Sequence, residues 1–397
     1  MNVLYLTAEV PYPLTSGYLR HYHFLRGLGA DHAIVQLSLT RRAVVPPEAR
    51  RVLGAHVQRL EVFGEGETSH GTRLRRSAAR RRAAHELRRA TAAHLARGDT
   101  DVVLLSGKDT FPALRAIGDV PLVIDVCDAT SVRLRGELAL APPRRRGTLA
   151  LRLAEIERVE RHLVACTPHL LFASERDRAA VGAEHGLVVP NGVDAGHWMR
   201  PGAPADAPVV AFSGSMAYGP NHDAALRLVE AVLPRVRERV PAARLVVAGR
   251  GPLPRLRAAA DRAGGVEVTG ACVDLRPHLE GAAVYCAPLR FASGIQNKLL
   301  EALAMGLPVV TTEVAAAGLR IDGEHPPLVI AAGDDAVADA VARLLASPDE
   351  RARLGAAGRA FVERRFSWAR SIAQLDAVLR EAAGATGALR HAEARSA

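Results

Sequence analysis

Aromatic side chains are scarce in this chain of 397 residues, where they make up only 4% of the sequence. Proteins that bind single-stranded nucleic acid commonly stack bases on aromatic rings, so this low content argues against such a surface. Cysteine is also rare, and Cys127, Cys166, Cys272 and Cys286 form no CxxC pair. We therefore expect four reduced cysteines, buried as small apolar residues in a cytoplasmic protein.

Lysine is nearly missing, since Lys108 and Lys298 are the only lysines among 52 lysine and arginine residues. These basic residues outnumber the 42 acidic ones, which gives a net charge of +10. Such a charge favours an anionic partner such as a nucleotide, a phosphorylated substrate, an acidic lipid or a nucleic acid. A bias towards GC-rich codons explains an arginine-rich chain equally well.

Long hydrophobic runs are missing as well. No apolar run reaches about 18 residues, so we expect no transmembrane helix. The first residues, MNVLYLTAEVPYP, lack the charged region and the long apolar core of a signal peptide. We expect a cytoplasmic location, with peripheral contact at the inner face of the membrane as an open alternative.

The chain does contain a regular alternation of short apolar runs with helical patterns. In the first half, strands are predicted at NVLYLTAE, HAIVQLSL, DVVLLSG, PLVIDVCD, HLLFAS and GLVVPNGVD. A proline-rich linker, GHWMRPGAPADAP, precedes the second set, VVAFSG, RLVVAG, VEVTG, AAVYCAP, PVVTT and PLVIA. We predict an α/β fold with two Rossmann-like domains, residues 1–200 and 206–370, that face each other across a ligand cleft. Residues 371–397 are predicted to form a terminal helix and tail that pack back towards the first domain.

The stretch FASGIQNKLLEALAMGLPVV surrounds Lys298 and predicts a helix from near Gly294 to Met305. On this helix Gly294, Lys298 and Glu301 share one face. Unpaired N–H groups and the dipole at a helix start suit a phosphate, and Lys298 adds a point charge. Glu301 can accept hydrogen bonds from two ribose hydroxyls. The spacing fits a nucleoside diphosphate, and it also fits an amphipathic helix with a solvated Lys–Glu pair.

The same stretch resembles the donor-site signature of GT-B fold glycosyltransferases. It is most similar to family 4 retaining enzymes, in particular the bacterial branch with GIQNKxLEAxAxGxPVV. Further segments resemble that family in the same order: PNGVD (190–194), FSGSMAYGPNHDA (212–224), LVVAGRGP (245–252) and FSWARSI (366–372). The resemblance implies transfer of a sugar from a nucleoside-diphosphate sugar to an acceptor hydroxyl with retention of configuration. Polysaccharide, glycolipid and glycosylated natural-product synthesis are the implied settings.

The resemblance also implies a set of donor-binding residues. They are Gly214, Ser215, Asn221, Arg250, Cys272, Val273, Ser293, Gly294, Ile295, Gln296, Asn297, Lys298 and Glu301. The chain departs from most family members at Ser293, eight residues before Glu301, where a second glutamate is usual. The usual basic pair after the first strand of the second domain is missing too. Lys298, with Arg250 or Arg290, must then meet the diphosphate charge.

The acceptor side is predicted at the first loop of the first domain, because ligands bind at the carboxyl ends of parallel strands. Ser16 and Gly17 lie in this loop, and Tyr18 and His21 lie at the start of the following helix. Asp128 ends another strand and is predicted to contact an acceptor hydroxyl. Capping of the next helix is the alternative role for Asp128.

The implied mechanism needs little from the protein beyond electrostatics. We expect Lys298, Glu301 and Asp128 to be the catalytic residues, with the departing diphosphate taking the proton of the acceptor. The sequence shows no clustered metal ligands and no DxD pair at a donor loop. We therefore expect no metal ion and no cofactor beyond the nucleotide sugar itself.

Residues 72–97 predict one long helix that is rich in arginine. It fits a peripheral contact with an anionic membrane, a basic rim for a soluble anionic acceptor, or a solvated helix. Two other functions stay open: a GT-B fold epimerase, which needs no acceptor, and a basic nucleic-acid binding protein. We expect no nucleic-acid partner, because no recognised motif supports one.

Overall fold

A computed structural model of the chain describes residues 1–12, 18–42, 44–64, 73–202 and 205–396. Its first half is built on a parallel sheet with the strand order β3-β2-β1-β4-β5-β6-β7. These strands are Asn2–Thr7 (β1), Ala33–Leu39 (β2), Arg59–Phe63 (β3), Val102–Ser106 (β4), Leu122–Cys127 (β5), Leu170–Phe172 (β6) and Leu187–Val188 (β7). The sequence patterns did not predict β3, which is half-buried and lies at the edge of the sheet.

The second half is built on another parallel sheet, ordered β10-β9-β8-β11-β12-β13. Its strands are Val209–Ser213 (β8), Arg244–Ala248 (β9), Val266–Gly270 (β10), Val284–Ala287 (β11), Val309–Thr311 (β12) and Val329–Ile330 (β13). The prediction of two Rossmann-like halves is confirmed.

Helices cover the faces of both sheets. In the first half they are Leu19–Leu28 (α1), Pro47–Gly54 (α2), Arg73–Leu95 (α3), Thr130–Leu140 (α4), Pro143–Cys166 (α5) and Glu175–Ala180 (α6). In the second half they are Gly219–Arg227 (α7), Leu233–Arg239 (α8), Pro254–Ala263 (α9), Arg276–Glu280 (α10), Asn297–Ala304 (α11), Glu313–Ala316 (α12), Gly333–Ala346 (α13), Pro348–Arg365 (α14) and Trp368–Ser396 (α15). Lys108–Ala116 and Ala317–Leu319 form 3₁₀ turns, and Leu228–Val232 forms a π turn. Among the described residues, no helix is both long and apolar enough to cross a membrane.

The central strands read as continuous apolar runs because helices bury them on both faces. Residues 102–106 of β4 are buried throughout, and Val209–Ser213 of β8 are buried likewise. The four cysteines do not all follow this rule, since only Cys286 is buried and Cys166 is exposed at the end of α5. The prediction of four buried cysteines is therefore wrong.

The last helix returns to the first half of the chain. Trp368, Leu375 and Leu379 join the apolar core on one face of the first sheet. The Trp368 ring stacks on His23 of α1, with ring centroids 4.2 Å apart. Gly192 is required beside it, because a Cβ there would lie 2.4 Å from the Trp368 backbone nitrogen.

Both sheets reverse their strand order next to the first strand, between β1 and β4 and between β8 and β11. In open parallel sheets the loops at the carboxyl ends of such strands diverge and leave a crevice that binds ligands. The loops after β8 and β11 contain residues 214–218 and 288–296. The fold therefore brings together two loops that hold six of the thirteen predicted donor-binding residues, and α11, which follows the second loop, holds three more.

Candidate active site

The loop after β11 leads into α11, which begins at Asn297 rather than near Gly294. Gly294 lies in the loop with φ +63°, a conformation that side chains with a Cβ rarely adopt. It therefore does not share a helix face with Lys298 and Glu301, and that prediction is wrong. Lys298 is the second residue of the helix, so it lies at the positive end of the helix dipole.

The start of α11 is buried on every side. Lys298 is 9% exposed and Glu301 is 6% exposed. The neighbouring donor-loop residues are also buried: Ser293, Ile295, Gln296 and Asn297. The Lys298 ammonium donates a hydrogen bond to Gln296 Oε1 at 2.9 Å. The alternative of a solvated Lys–Glu pair is therefore wrong.

Burial shifts the pKa of both ionisable groups on α11. Desolvation lowers the pKa of Lys298 to about 8, although the charge of Glu301 opposes the shift. Desolvation likewise raises the pKa of Glu301 to about 7, and here Lys298 opposes the shift. The protein therefore does not fully offset the cost of burying either charge. An anionic ligand would stabilise the charged form of Lys298, and hydroxyl donors would stabilise the charged form of Glu301.

The loop after β8 lies against the Lys298 side chain. Gly214 has φ +144°, and a Cβ there would be 2.6 Å from Asn221 Nδ2 and 3.3 Å from Lys298 Cε. Asn221 donates from Nδ2 to the Ser215 carbonyl at 3.0 Å, and its Oδ1 is buried without a partner. Gly214, Ser215, Asn221 and Lys298, which are all predicted donor-binding residues, therefore lie close together.

The other predicted donor residues are more peripheral. Arg290 donates to Asp223 at 2.9 Å, so its charge is already matched. Arg250 is exposed after β9. Cys272 Sγ lies 3.0 Å from Thr269 Oγ1, and Val273 is fully exposed. Both follow β10, two strands away from β8.

The first half of the chain contributes Asp128 to the same place. Asp128 Oδ2 accepts a hydrogen bond from Ser293 Oγ at 2.5 Å, across the boundary between the halves. The N-cap of α4 is Ala129, without a side-chain cap, so the capping alternative for Asp128 is wrong. Lys108, the second lysine of the chain, donates to the Asp128 carbonyl at 2.5 Å.

Asp177 is not among the residues predicted from the sequence. Its spacing after Ser174 is that of a helix capping pattern, and Asp177 N–H does donate to Ser174 Oγ at 3.2 Å. Its carboxylate, however, accepts from the Gly294 N–H at 2.6 Å and from the Ala129 N–H at 3.0 Å. Burial raises the pKa of Asp177. No local pattern could have predicted contacts to two distant segments.

A buried ion pair lies behind these contacts. Arg20 donates from Nε and Nη2 to the two oxygens of Asp125, at 2.9 and 2.8 Å. Its remaining nitrogen donates to the Val189 carbonyl and to Asn191 Oδ1. Asn191 in turn donates to Asn297 Oδ1 at 2.8 Å. The first residue of α11 is thus connected by side-chain hydrogen bonds to the core of the first half.

The predicted acceptor side is described only in part, since Ser16 and Gly17 lie outside the described residues. Tyr18 precedes α1, with the Arg42 guanidinium 5.7 Å from its ring centroid. His21 Nδ1 lies 2.9 Å from the Tyr5 hydroxyl. Burial lowers the pKa of His21 to about 4, so the ring is neutral at neutral pH. Among the described residues, no group of three His, Cys, Asp or Glu side chains could hold a metal.

Parts of the chain are similar to known proteins. Residues 207–347 match the family model described as glycosyl transferases group 1. A GDP-mannose-dependent alpha-(1-6)-phosphatidylinositol monomannoside mannosyltransferase of Mycobacterium tuberculosis is 36% identical over 161 residues, which are 37% of this chain and 42% of that protein. The chain thus spans about half the length of the curated relatives it matches.

Solved structures match over nearly the whole chain. Sucrose-phosphate synthase from Thermosynechococcus elongatus has a TM-score of 0.74 at 16% identity, covering 97% of this chain and all of that one. Anabaena Alr3699/HepE, solved with UDP and glucose, has a TM-score of 0.68 at 14% identity, with 96% and 100% covered. The chain therefore has the GT-B fold, and its second half carries the match to the group 1 glycosyl transferases.

Proposed function

We propose that this chain is a retaining glycosyltransferase that moves a sugar from a nucleoside-diphosphate sugar to an acceptor hydroxyl. The observation that carries the proposal is the buried start of α11, which holds Lys298 and Glu301 and where Lys298 lies beside the loop after β8. Both lie inside the region that matches the group 1 glycosyl transferases, which favours transfer over epimerisation.

In this mechanism negative charge grows on the diphosphate as the bond to the sugar breaks. Lys298 is placed to stabilise that charge from a buried position, where electrostatic interactions are stronger than in water. The acceptor oxygen bonds to the same face of the sugar, and its proton passes to the departing phosphate oxygen, so configuration is retained. Glu301 accepts hydrogen bonds from the ribose hydroxyls. No metal ion takes part in this proposal.

We further propose a lipid-linked acceptor and a peripheral position at the inner face of a membrane. Support comes from the mycobacterial relative, whose named acceptor is a phosphatidylinositol monomannoside. The exposed arginines of α3, including Arg80, Arg81 and Arg89, suit an anionic lipid surface. Sedimentation with anionic and neutral liposomes at low and high salt tests this separately from catalysis.

A panel of nucleoside diphosphates and nucleotide sugars, including GDP-mannose and UDP-glucose, tests the donor by thermal shift. A ligand present at 100 times its Kd stabilises the fold by about 2.7 kcal/mol, so a true donor stands out. Anomeric analysis of the product by NMR tests retention, and activity should survive EDTA. The proposal would be contradicted if none of the nucleotides stabilised the protein. It would also be contradicted if the protein converted the donor into an isomer in the absence of an acceptor.

Affinity for the nucleotide sugar should be highest between about pH 7 and about pH 8. Lys298 must be protonated to meet the diphosphate, so affinity falls as the pH rises above its pKa of about 8. Glu301 accepts hydroxyl hydrogen bonds best as a carboxylate, so affinity also falls below its pKa of about 7. Calorimetry should use a nucleotide sugar and not a free nucleoside diphosphate. The terminal phosphate of a free diphosphate ionises at about pH 6, and this titration would distort the acidic limb of the affinity profile.

Two variants assign the limbs of this pH profile. Glu301→Gln should flatten the acidic limb and leave the alkaline one, whereas Lys298→Met should do the reverse. A wild-type affinity that does not change across this pH range would show that neither group contacts the donor.

A further inference from the structure

Two segments from opposite halves of the chain meet side by side at the donor loop. Asp128 lies opposite Ser293, and their side chains share a hydrogen bond of 2.5 Å. The next residues of the two segments, Ala129 and Gly294, both donate their N–H groups to one oxygen of Asp177. A single carboxylate thus fixes the register between the two segments.

Asp177 and its neighbour are well suited to this role. Asp177 is 0% exposed, and burying a carboxylate is costly unless hydrogen bonds compensate it. Arg176 donates to the other Asp177 oxygen at 3.0 Å, to the Gly294 carbonyl at 3.2 Å and to the Val314 carbonyl at 2.6 Å. Residues of the first half therefore bind both the backbone N–H and the backbone carbonyl of Gly294.

Only glycine fits at position 294. A Cβ there would lie 3.0 Å from Asp128 Cβ, which is closer than carbon atoms normally approach. This close approach lets the Asp128 carboxylate reach the donor loop itself. Asp128 is consequently placed on the donor side of the cleft, against the segment that leads into α11.

We propose that Asp128 accepts a hydrogen bond from a hydroxyl of the transferred sugar, in the place that the Ser293 hydroxyl takes in this structure. The inference rests on the proposed glycosyltransferase function. A carboxylate repels a diphosphate but accepts strongly from hydroxyl groups. The donor loop has a serine at position 293 and no acid of its own between residues 288 and 300. The first half then supplies the acid, and sugar recognition is complete only when the two halves are in contact.

The test compares ligands with and without the sugar. For wild type and Asp128→Asn, calorimetry measures GDP against GDP-mannose and UDP against UDP-glucose, using the pair that stabilises the wild type. Asp128→Asn should bind the nucleoside diphosphate within about twofold of wild type, yet lose about 10- to 100-fold for the nucleotide sugar, as expected for one hydrogen bond to a charged group. Asp119→Asn, an exposed aspartate of the same half, is the matched control and should change neither affinity.

Deoxygenated donors and the serine sharpen the assignment. One deoxy analogue of the donor sugar should bind the wild type weakly and bind Asp128→Asn no worse than the parent sugar does. Ser293→Ala keeps the carboxylate and removes only its present partner, so it tests whether the sugar contact belongs to Asp128 or to Ser293. The exchange Asp128→Ser with Ser293→Asp moves the carboxylate across the boundary and should recover part of the lost affinity.

The outcomes distinguish a role of Asp128 from a role of Ser293 and from failure of the proposed function. Equal losses for the diphosphate and the sugar nucleotide in Asp128→Asn, or no loss for either, would overturn the role of Asp128. Loss of sugar affinity in Ser293→Ala would assign the contact to Ser293 instead. If no nucleotide sugar of the panel stabilises the wild-type protein, the proposed function fails and the role of Asp128 fails with it, whereas a wild type that binds its donor leaves only the role of Asp128 in question.

Discussion

Lys298→Met is expected to lower kcat by about 10²- to 10³-fold, the loss typical of removing one group that stabilises developing negative charge. Methionine fills a similar volume at this buried position but cannot meet the charge of the departing diphosphate. The fold should tolerate the change, because burial already disfavours the ammonium and lowers the pKa of Lys298 to about 8. Steady-state rates with saturating donor, together with the melting temperature, measure the two effects separately.

Arg239→Met is the matched control for this experiment. This substitution removes the same single charge from the same half of the chain, but from the surface, where Arg239 Nη2 lies 2.7 Å from Asp339 Oδ1. The Arg239→Met variant should have the same rate as the wild type. A Lys298→Met enzyme with a near-normal rate would rule out Lys298 as the diphosphate ligand. A lowered melting temperature together with a low rate would indicate a structural role instead.

The sequence alone predicted correctly that Lys298 and Glu301 lie on one short helix, whose period fixes their separation. The start of that helix could not be predicted in the same way. Gly294 looked like a first helical residue, but its N–H group bonds to Asp177, which is 117 residues away in sequence. Helix starts depend on where the unpaired N–H groups find partners, and here the partner comes from the other half of the chain.

The burial of the polar residues around Lys298 was the second property that local patterns could not predict. The stretch around Lys298 has polar residues at positions 293, 296, 297, 298 and 301, which by themselves indicate an exposed face. In the structure all of these residues are buried, because the first half packs over the donor loop. The two Rossmann-like domains could be predicted from the alternation of strands and helices, whereas contacts such as that between Asp128 and Ser293 depend on how the two halves meet.

Arg20→Met is expected to destabilise the protein by about 3–5 kcal/mol, the usual cost of leaving one member of a buried ion pair without its partner. Arg20 and Asp125 are 4% and 0% exposed, and Arg20 also donates to the Val189 carbonyl and Asn191. Thermal and urea unfolding measure the loss. The exposed Arg239→Met serves again as the control and should leave the melting temperature nearly unchanged.

The pH dependence of this loss identifies its cause. Burial alone would raise the pKa of Asp125, but the Arg20 guanidinium, with hydrogen bonds from Arg20 and Ser106, holds it below its usual value. In the wild type this pair therefore adds stability above the unfolded-state pKa of Asp125, and that stability is lost as the pH falls through the lower folded-state value. In Arg20→Met burial prevails and the Asp125 carboxyl takes up a proton on folding, so the loss of stability should be largest at neutral pH and should shrink in acid.

Adding Asp125→Asn to Arg20→Met should recover part of the stability at neutral pH, since it removes the unpaired charge. A double variant no more stable than Arg20→Met would show that packing, and not the buried charge, causes the loss.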